Sequence, residues 1–274
     1  MKISFFHLFK CGGTTFNWIL QNNFSGRVLY AEKPVPCRGR LKGASVQDYL
    51  SRHTEITYDA LSSHLAEPAC ADLALFPCSI LRVPSDRNWS AYHFQIRQGT
   101  LQEGLGYRDY LEKHHDFQSR VLGGEKVNSE SLEDVLNRFN LGILERFEES
   151  MVVFEWLLER QGVKLNLAYP GEKNRSKNRA SQSSSIDSRS IDDALTMTCY
   201  WHDLELYKRA TERLEDHLAA MPDRDTRMAD YAARCDQARE QEQRQKLTRY
   251  GTGPNDFTYI EPTTVPGLRP GFVR

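Results

Sequence analysis

The chain opens on Ile3-Ser4-Phe5-Phe6-His7-Leu8-Phe9, an apolar run that stops at Lys10-Cys11-Gly12-Gly13-Thr14-Thr15. A helical pattern follows at once, with Phe16, Ile19, Leu20 and Phe24 on one face. This order reads as a strand over residues 3–9, a tight loop and a helix. Gly12 and Gly13 carry no side chain, so the backbone there can approach a ligand closely. Thr14 and Thr15 place hydroxyls and unsatisfied N–H groups at a helix N-terminus, where the positive end of the helix dipole suits a phosphate. Lys10 adds a mobile positive charge. An ordinary strand-to-helix turn is the plain alternative. The loop is not a Walker A motif: its lysine precedes the glycines, and no glycine stands five residues ahead of it.

A chain of 274 residues, 39% hydrophobic and 11% aromatic, has enough apolar material for one large α/β domain or for a domain with an appended helical part. Charged residues at 27%, a mean hydropathy of -0.61 and the lack of any apolar run near the ~18 residues of a bilayer span argue against an integral membrane protein. The net charge of -1 argues against a nucleic-acid coat. The first strand starts at residue 3 with no n-region or cleavage site, and a cytoplasmic location is expected. Six cysteines, at 11, 37, 70, 78, 199 and 235, form no CxxC pair and read as reduced thiols. The eight histidines show no ligand spacing, and His114-His115 read as a solvated pair on different helix faces.

A second signal lies at Cys78-Ser79-Ile80-Leu81-Arg82-Val83-Pro84-Ser85-Asp86-Arg87-Asn88-Trp89-Ser90-Ala91-Tyr92. Ser79 to Val83 is an expected strand, Pro84 ends it, and Ser85 or Asp86 can cap the next helix. Arg82 then stands at the strand's C-terminal end and Ser90 about two turns into the helix. Ligands collect at strand C-termini in parallel sheets, so a guanidinium fork and a hydroxyl can close there on one phosphate.

The two motifs together resemble the carbohydrate-type sulfotransferases (sulfotransferase family 2), in the branch related to heparan sulfate 2-O-sulfotransferase. That family's first loop, His-x-Pro-Lys-small-Gly/Ala-Gly/Ser-Thr/Ser-Thr/Ser, stands here as His7-Leu8-Phe9-Lys10-Cys11-Gly12-Gly13-Thr14-Thr15. Its second motif, Arg-Asp-Pro-x-x-Arg-x-x-Ser-x-Tyr, stands as Arg82-Val83-Pro84-Ser85-Asp86-Arg87-Asn88-Trp89-Ser90-Ala91-Tyr92. Phe9 replaces the usual proline and Val83 the usual aspartate; neither removes a proposed phosphate ligand.

The resemblance implies a P-loop-like αβα fold with a central parallel sheet, and use of 3′-phosphoadenosine 5′-phosphosulfate (PAPS) as co-substrate without a metal. It implies that Lys10, Cys11, Gly12, Gly13, Thr14 and Thr15 bind the 5′-phosphosulfate end and that Arg82 and Ser90 bind the 3′-phosphate. It places a late PAPS-contacting loop near Lys173 to Arg179, with Arg175 and Ser176 in it; a flexible linker is the alternative there. Lys10 is expected to neutralise the leaving phosphate, and His64, between the two motifs, to take the proton of the acceptor hydroxyl. Glu67 is the carboxylate rival, and His53 also lies in the interval.

Elsewhere, residues 26–30 and part of 56–64 read as strands, 46–53 as a short helix, and 31–45 as a basic loop. Residues 107–123 read as helical, as does 131–138, and 139–147 resembles the family's late strand and turn. An amphipathic helix follows with Met151, Phe154, Leu157 and Leu158 inward. A long helix over 191–220 is expected to bury Leu195, Trp201, Leu204, Tyr207, Leu214 and Leu218; 227–247 reads as a solvated helix, and the stretch from Gly251 as an extended tail. The expected division is a sulfotransferase domain over 1–220 and a helix and tail over 221–274. The acceptor, taken as a glycan or glycolipid hydroxyl, is not legible. A P-loop kinase and a nucleotide-binding module without catalysis are the competing readings.

Overall fold

The computed structural model describes residues 1–30, 43–52, 54, 57–124, 126–171, 198–245 and 258–259. The chain runs β1 (Ile3–Phe6), α1 (Gly13–Phe24), β2 (Val28–Tyr30), α2 (Gly43–Arg52), β3 (Ala60–Ser63), a 3-10 turn (Pro68–Leu73) and β4 (Phe76–Leu81). Then come α3 (Pro84–Arg97), α4 (Tyr107–Lys113), α5 (Phe117–Gly123), α6 (Ser129–Arg138), β5 (Asn140–Ile143) and α7 (Phe147–Arg160). Beyond these lie α8 (Trp201–Ala220), α9 (Arg224–Gln245) and β6 (Thr258–Tyr259).

The strands form one sheet in the order β5-β4-β1-β3-β2-β6, with every pair parallel. Helices flank it, so the fold is α/β. Central strands of such a sheet are covered on both faces, and β1 is buried at all four positions. Successive side chains leave a strand on opposite faces. Phe5 meets Phe16 of α1 at 4.4 Å, while Phe6 meets Phe139 at the end of α6 at 4.7 Å. The serines that interrupt the apolar strands are hydrogen-bonded. Ser4 Oγ donates to the Cys70 carbonyl, Ser79 Oγ to the Phe6 carbonyl and Ser62 Oγ to Asn17 Oδ1.

Several elements depart from the sequence expectations. β1 ends at Phe6 rather than residue 9, because the chain turns there: the Leu8 N–H donates to the Phe6 carbonyl and the Cys11 N–H to the Leu8 carbonyl. The helical stretch over 107–123 breaks into α4 and α5 at Asp116, whose φ is 44°. The break exchanges caps. Asp116 accepts from the His202 and Asp203 N–H groups at the start of α8, and Asp203 accepts from the Gln118 and Ser119 N–H groups at the start of α5. His114 is not simply solvated; its ring stacks on Tyr110 at 4.1 Å, and only His115 is exposed.

On α8 the buried stripe is Leu206, Ala210, Leu214 and Leu218, spaced by four, which turns Trp201 outward at 60% exposure and leaves Leu204 and Tyr207 half-buried. Leu195 lies outside the described residues. On α7, Met151, Phe154 and Leu158 are buried and Leu157 is half-buried. α9 is not solvated all round. Tyr231 and Cys235, one turn apart, are buried; the Tyr231 hydroxyl donates to the Leu167 carbonyl, and Arg234 forks onto Glu155 of α7 at 2.7 and 2.8 Å. The stretch after Gly251 supplies β6, which pairs with β2. The described cysteines, all but Cys37, are free thiols.

Candidate functional site

From β1 the chain passes to β2 and β3 on one side, whereas β4 lies on the other side of β1. Connections leaving β1 and β4 therefore part from each other, and the crevice at this switch point is where open parallel sheets hold ligands. The loop of residues 7–12 and the Arg82–Val83 link stand at its mouth.

The loop's backbone is polarised. The Leu8 carbonyl accepts from Cys11, and the Gly12 carbonyl from Thr15 and Phe16. The Phe9 carbonyl accepts from Arg87 Nε at 3.3 Å, and the Lys10 carbonyl from Arg82 Nη1 at 3.2 Å. By contrast, the N–H groups of Lys10, Gly12, Gly13 and Thr14 donate to no acceptor among the described residues. Lys10 (φ 68°) and Gly12 (φ 80°) both take the left-handed conformation, the alternation that gathers successive N–H groups into an anion-binding nest. At Lys10 this is a strained state for a residue with a Cβ. At Gly12 a Cβ would also stand 2.6 Å from Leu144 Cδ1.

Positive charge converges on the same place. The Lys10 ammonium sits 4.6 Å from the centroid of the Phe94 ring, on α3. Burial, and then the nearby Arg97 and Arg82, hold its pKa below the ordinary lysine value. Among the described residues Arg82 keeps a buried Nε with no hydrogen-bond partner, and the carboxylate it pairs with, Asp86, is 3.9 Å away and half exposed. Asp86, Ser90 and Phe94 are one turn apart on a single face of α3. Asp86 reaches Arg82 and Phe94 reaches Lys10, and Ser90 stands on α3 midway between those two residues; its hydroxyl makes no hydrogen bond among the described residues.

His64 follows β3 directly. Its Nδ1 is hydrogen-bonded to the His7 carbonyl, and its ring stacks on the His7 ring at 3.7 Å. A carbonyl partner puts the proton on Nδ1 and the lone pair on Nε2. His7 in turn presses on Gly13, where a Cβ would fall 1.8 Å from His7 Cδ2. Asn17 Nδ2 reaches His7 Nδ1 at 3.4 Å while Asn17 Oδ1 accepts from Ser62. Phe9 lies edge-on between His64, at 6.2 Å, and Phe94, at 5.4 Å. Glu67 leads into the 3-10 turn, and its carboxylate makes no hydrogen bond or ion pair among the described residues.

Cys11, expected at the 5′-phosphosulfate end, instead faces the floor of the loop, which it shares with Gln118, a residue the site expectations did not include. Cys11 points down, its N–H and its thiol engaged by the Leu8 carbonyl and Gln118 Oε1, and burial pushes the thiol pKa up to about 12. Gln118 also grips the Arg82 backbone at both N–H and carbonyl, 2.9 Å each. Glu145, after β5, accepts from the Val83 N–H where the motif has lost its own carboxylate. The signal for Gln118 was a polar residue at an inward position of α5; nothing in the local sequence marks its partner. Arg175, Ser176 and His53 lie outside the described residues.

No protein-family model matches this chain, and no curated protein matches it. Among solved structures it is similar to the crystal structure of a sulfotransferase from Alicyclobacillus acidocaldarius, with 15% identity, 78% of this chain and 94% of that chain covered, and a TM-score of 0.40. That likeness is too slight to carry a function across. No described helix is long and apolar enough to cross a membrane.

Proposed function

We propose that this protein is a sulfotransferase that moves the sulfuryl group of PAPS to a hydroxyl of a carbohydrate or glycoconjugate. The observation that carries the reading is the polarised loop: its carbonyls are held by the protein while the N–H groups of Lys10, Gly12, Gly13 and Thr14 have no acceptor among the described residues, beside Lys10, Arg82 and Ser90. This donor set fits a nucleotide bearing phosphate at two ends. The loop receives the 5′ end, and Arg82 and Ser90 the 3′-phosphate; Arg175 and Ser176, outside the described residues, are proposed as further nucleotide contacts.

PAPS supplies an activated sulfuryl group. In-line displacement forms a bond from the acceptor oxygen to sulfur and breaks the bond from sulfur to the phosphate oxygen. His64 Nε2 takes the acceptor's proton, with Nδ1 anchored on the His7 carbonyl. Lys10 and the loop N–H groups balance the charge that develops on the leaving phosphate. Kinase chemistry is the weaker reading, because the lysine approaches from before the glycines.

Calorimetry with 3′-phosphoadenosine 5′-phosphate and with ATP, each with and without Mg²⁺, separates the two. Tight binding of the former without Mg²⁺ supports sulfotransfer, and preference for Mg²⁺-ATP overturns it. Radiolabelled PAPS, screened over glycans, glycolipids and small alcohols, then tests turnover; binding without transfer to any of them points to a nucleotide-binding module.

A further inference from the structure

Arg87 is only 1% exposed, on the inner side of α3. Its Nε donates to the Phe9 carbonyl at 3.3 Å, its Nη1 to Asn88 Oδ1 at 2.5 Å, and its guanidinium lies 3.8 Å from the centroid of the Phe117 ring. These contacts satisfy donors but supply no negative charge. No described carboxylate forms an ion pair with Arg87. Asp203 is near enough to act on it, yet its oxygens are taken up by the N–H groups of Gln118 and Ser119 and by the Ser119 hydroxyl. Tyr110, beside it, is fully buried with a hydroxyl that has no partner among the described residues. A buried cation without a counter-ion is costly, and proteins ordinarily neutralise or replace it.

We propose that Arg87 is a positioning residue of the nucleotide site: it holds the phosphate loop from beneath and takes the bound anion as a counter-charge beyond the Asp203 carboxylate, with which it forms no direct ion pair. The inference rests on the function proposed above. The geometry of the hold is direct. In a planar trans peptide the C=O and the following N–H point to opposite sides. Drawing the Phe9 carbonyl down to Arg87 therefore turns the Lys10 N–H up, away from the floor. Arg82 holds the next carbonyl, that of Lys10, whose peptide N–H, Cys11's, closes the turn onto the Leu8 carbonyl. Two arginines thus pin two consecutive carbonyls of a left-handed turn, one from outside the core and one from within it. The outer arginine keeps a buried Nε with no partner among the described residues. The inner one can reach the ligand only through the field it casts across a low-dielectric floor, where screening is weak.

The test compares wild type with Arg87→Met, Arg87→Gln and Arg87→Lys. Calorimetry measures affinity for 3′-phosphoadenosine 5′-phosphate, for pyrophosphate and for adenosine, and thermal melts are run with and without each. Methionine removes charge and hydrogen bond, glutamine keeps a donor without charge, and lysine keeps the charge. Affinity for both anions is expected to fall by about 10–30-fold in the Met and Gln variants, about 1.4–2 kcal/mol, and to be largely regained in Lys. Adenosine affinity should stay unchanged. Without ligand the Gln variant should melt no lower than wild type, while anions should raise its melting temperature less.

A variant that is less stable yet binds both anions as wild type does reduces Arg87 to a packing residue and overturns the proposal. If Arg87→Met does not fold, the Gln and Lys pair decides between the same outcomes. Wild type that binds pyrophosphate but not the nucleotide refutes the sulfotransferase reading while the Arg87 comparison still stands on pyrophosphate. Wild type that binds neither refutes both.

Discussion

Gly13→Ala is the sharpest test of the packing that aligns the loop with His64. Gly13 opens α1 in an ordinary helical conformation, and alanine in such a place normally gains about 0.5–1 kcal/mol over glycine. Here the added methyl would stand 1.8 Å from His7 Cδ2 and 1.9 Å from His7 Nε2, against the 3.4 Å of ordinary contact. The ring has to retreat by roughly 1.6 Å, the difference of those two distances. It is stacked on His64 at 3.7 Å and on Phe5 at 5.5 Å, and His7 is 9% exposed, so it has little room to move. Overpacking of this kind costs about 1–3 kcal/mol, so the expected net effect is destabilisation. In a His7→Ala background the same methyl enters vacated space, and the sign should reverse to a gain of about 0.5–1 kcal/mol. The double-mutant cycle should therefore show a coupling of about 1–3 kcal/mol, the overpacking cost alone, read by urea denaturation followed by circular dichroism. If Gly13→Ala changes stability by the same amount in both backgrounds, within about 0.5 kcal/mol, the His7 ring does not set the requirement for glycine.

Arg82→Ala and Ser90→Ala should each weaken binding of 3′-phosphoadenosine 5′-phosphate by about 1–3 kcal/mol. Both should bind it no better than adenosine 5′-phosphate, and retained discrimination in both would place the 3′-phosphate elsewhere. His64→Ala should lower turnover by about 10²–10⁴-fold with nucleotide affinity unchanged. Full turnover in that variant would move the base to Glu67. For Lys10, burial and the two arginines hold the pKa below the ordinary lysine value. The unfolded chain then binds more protons between the depressed and ordinary values, so the free protein gains stability as pH rises through that window. The anion needs the ammonium, so nucleotide affinity should fall across the same window. Arg97→Gln should shift that fall to higher pH, and an affinity flat from about pH 7 to 10 would remove Lys10 from the phosphate site.

What the chain determined locally is the pair of strand–turn–helix junctions. An apolar run, then a lysine, two glycines and two threonines, can end a buried strand and start a helix in few other ways, and Pro84 fits only the first turn of α3. Burial of the β1 residues and the parallel class of the sheet follow from continuous apolar strands separated by helical stretches. Local pattern was weaker where a helix buries few residues. Tyr231 and Cys235 carry the docking of α9, and two apolar positions in a polar helix make almost no periodic signal.

Only the tertiary structure decided which donors remain for a ligand. The Phe9 and Lys10 carbonyls are held by arginines 78 and 72 residues away, and Gln118 reaches both Cys11 and Arg82 across 107 and 36 residues. Arg82 and Arg87 look alike in the motif. Strand order puts one at the crevice and the helix turn buries the other beneath it, because side-chain direction along a helix is fixed by its period once the helix is docked.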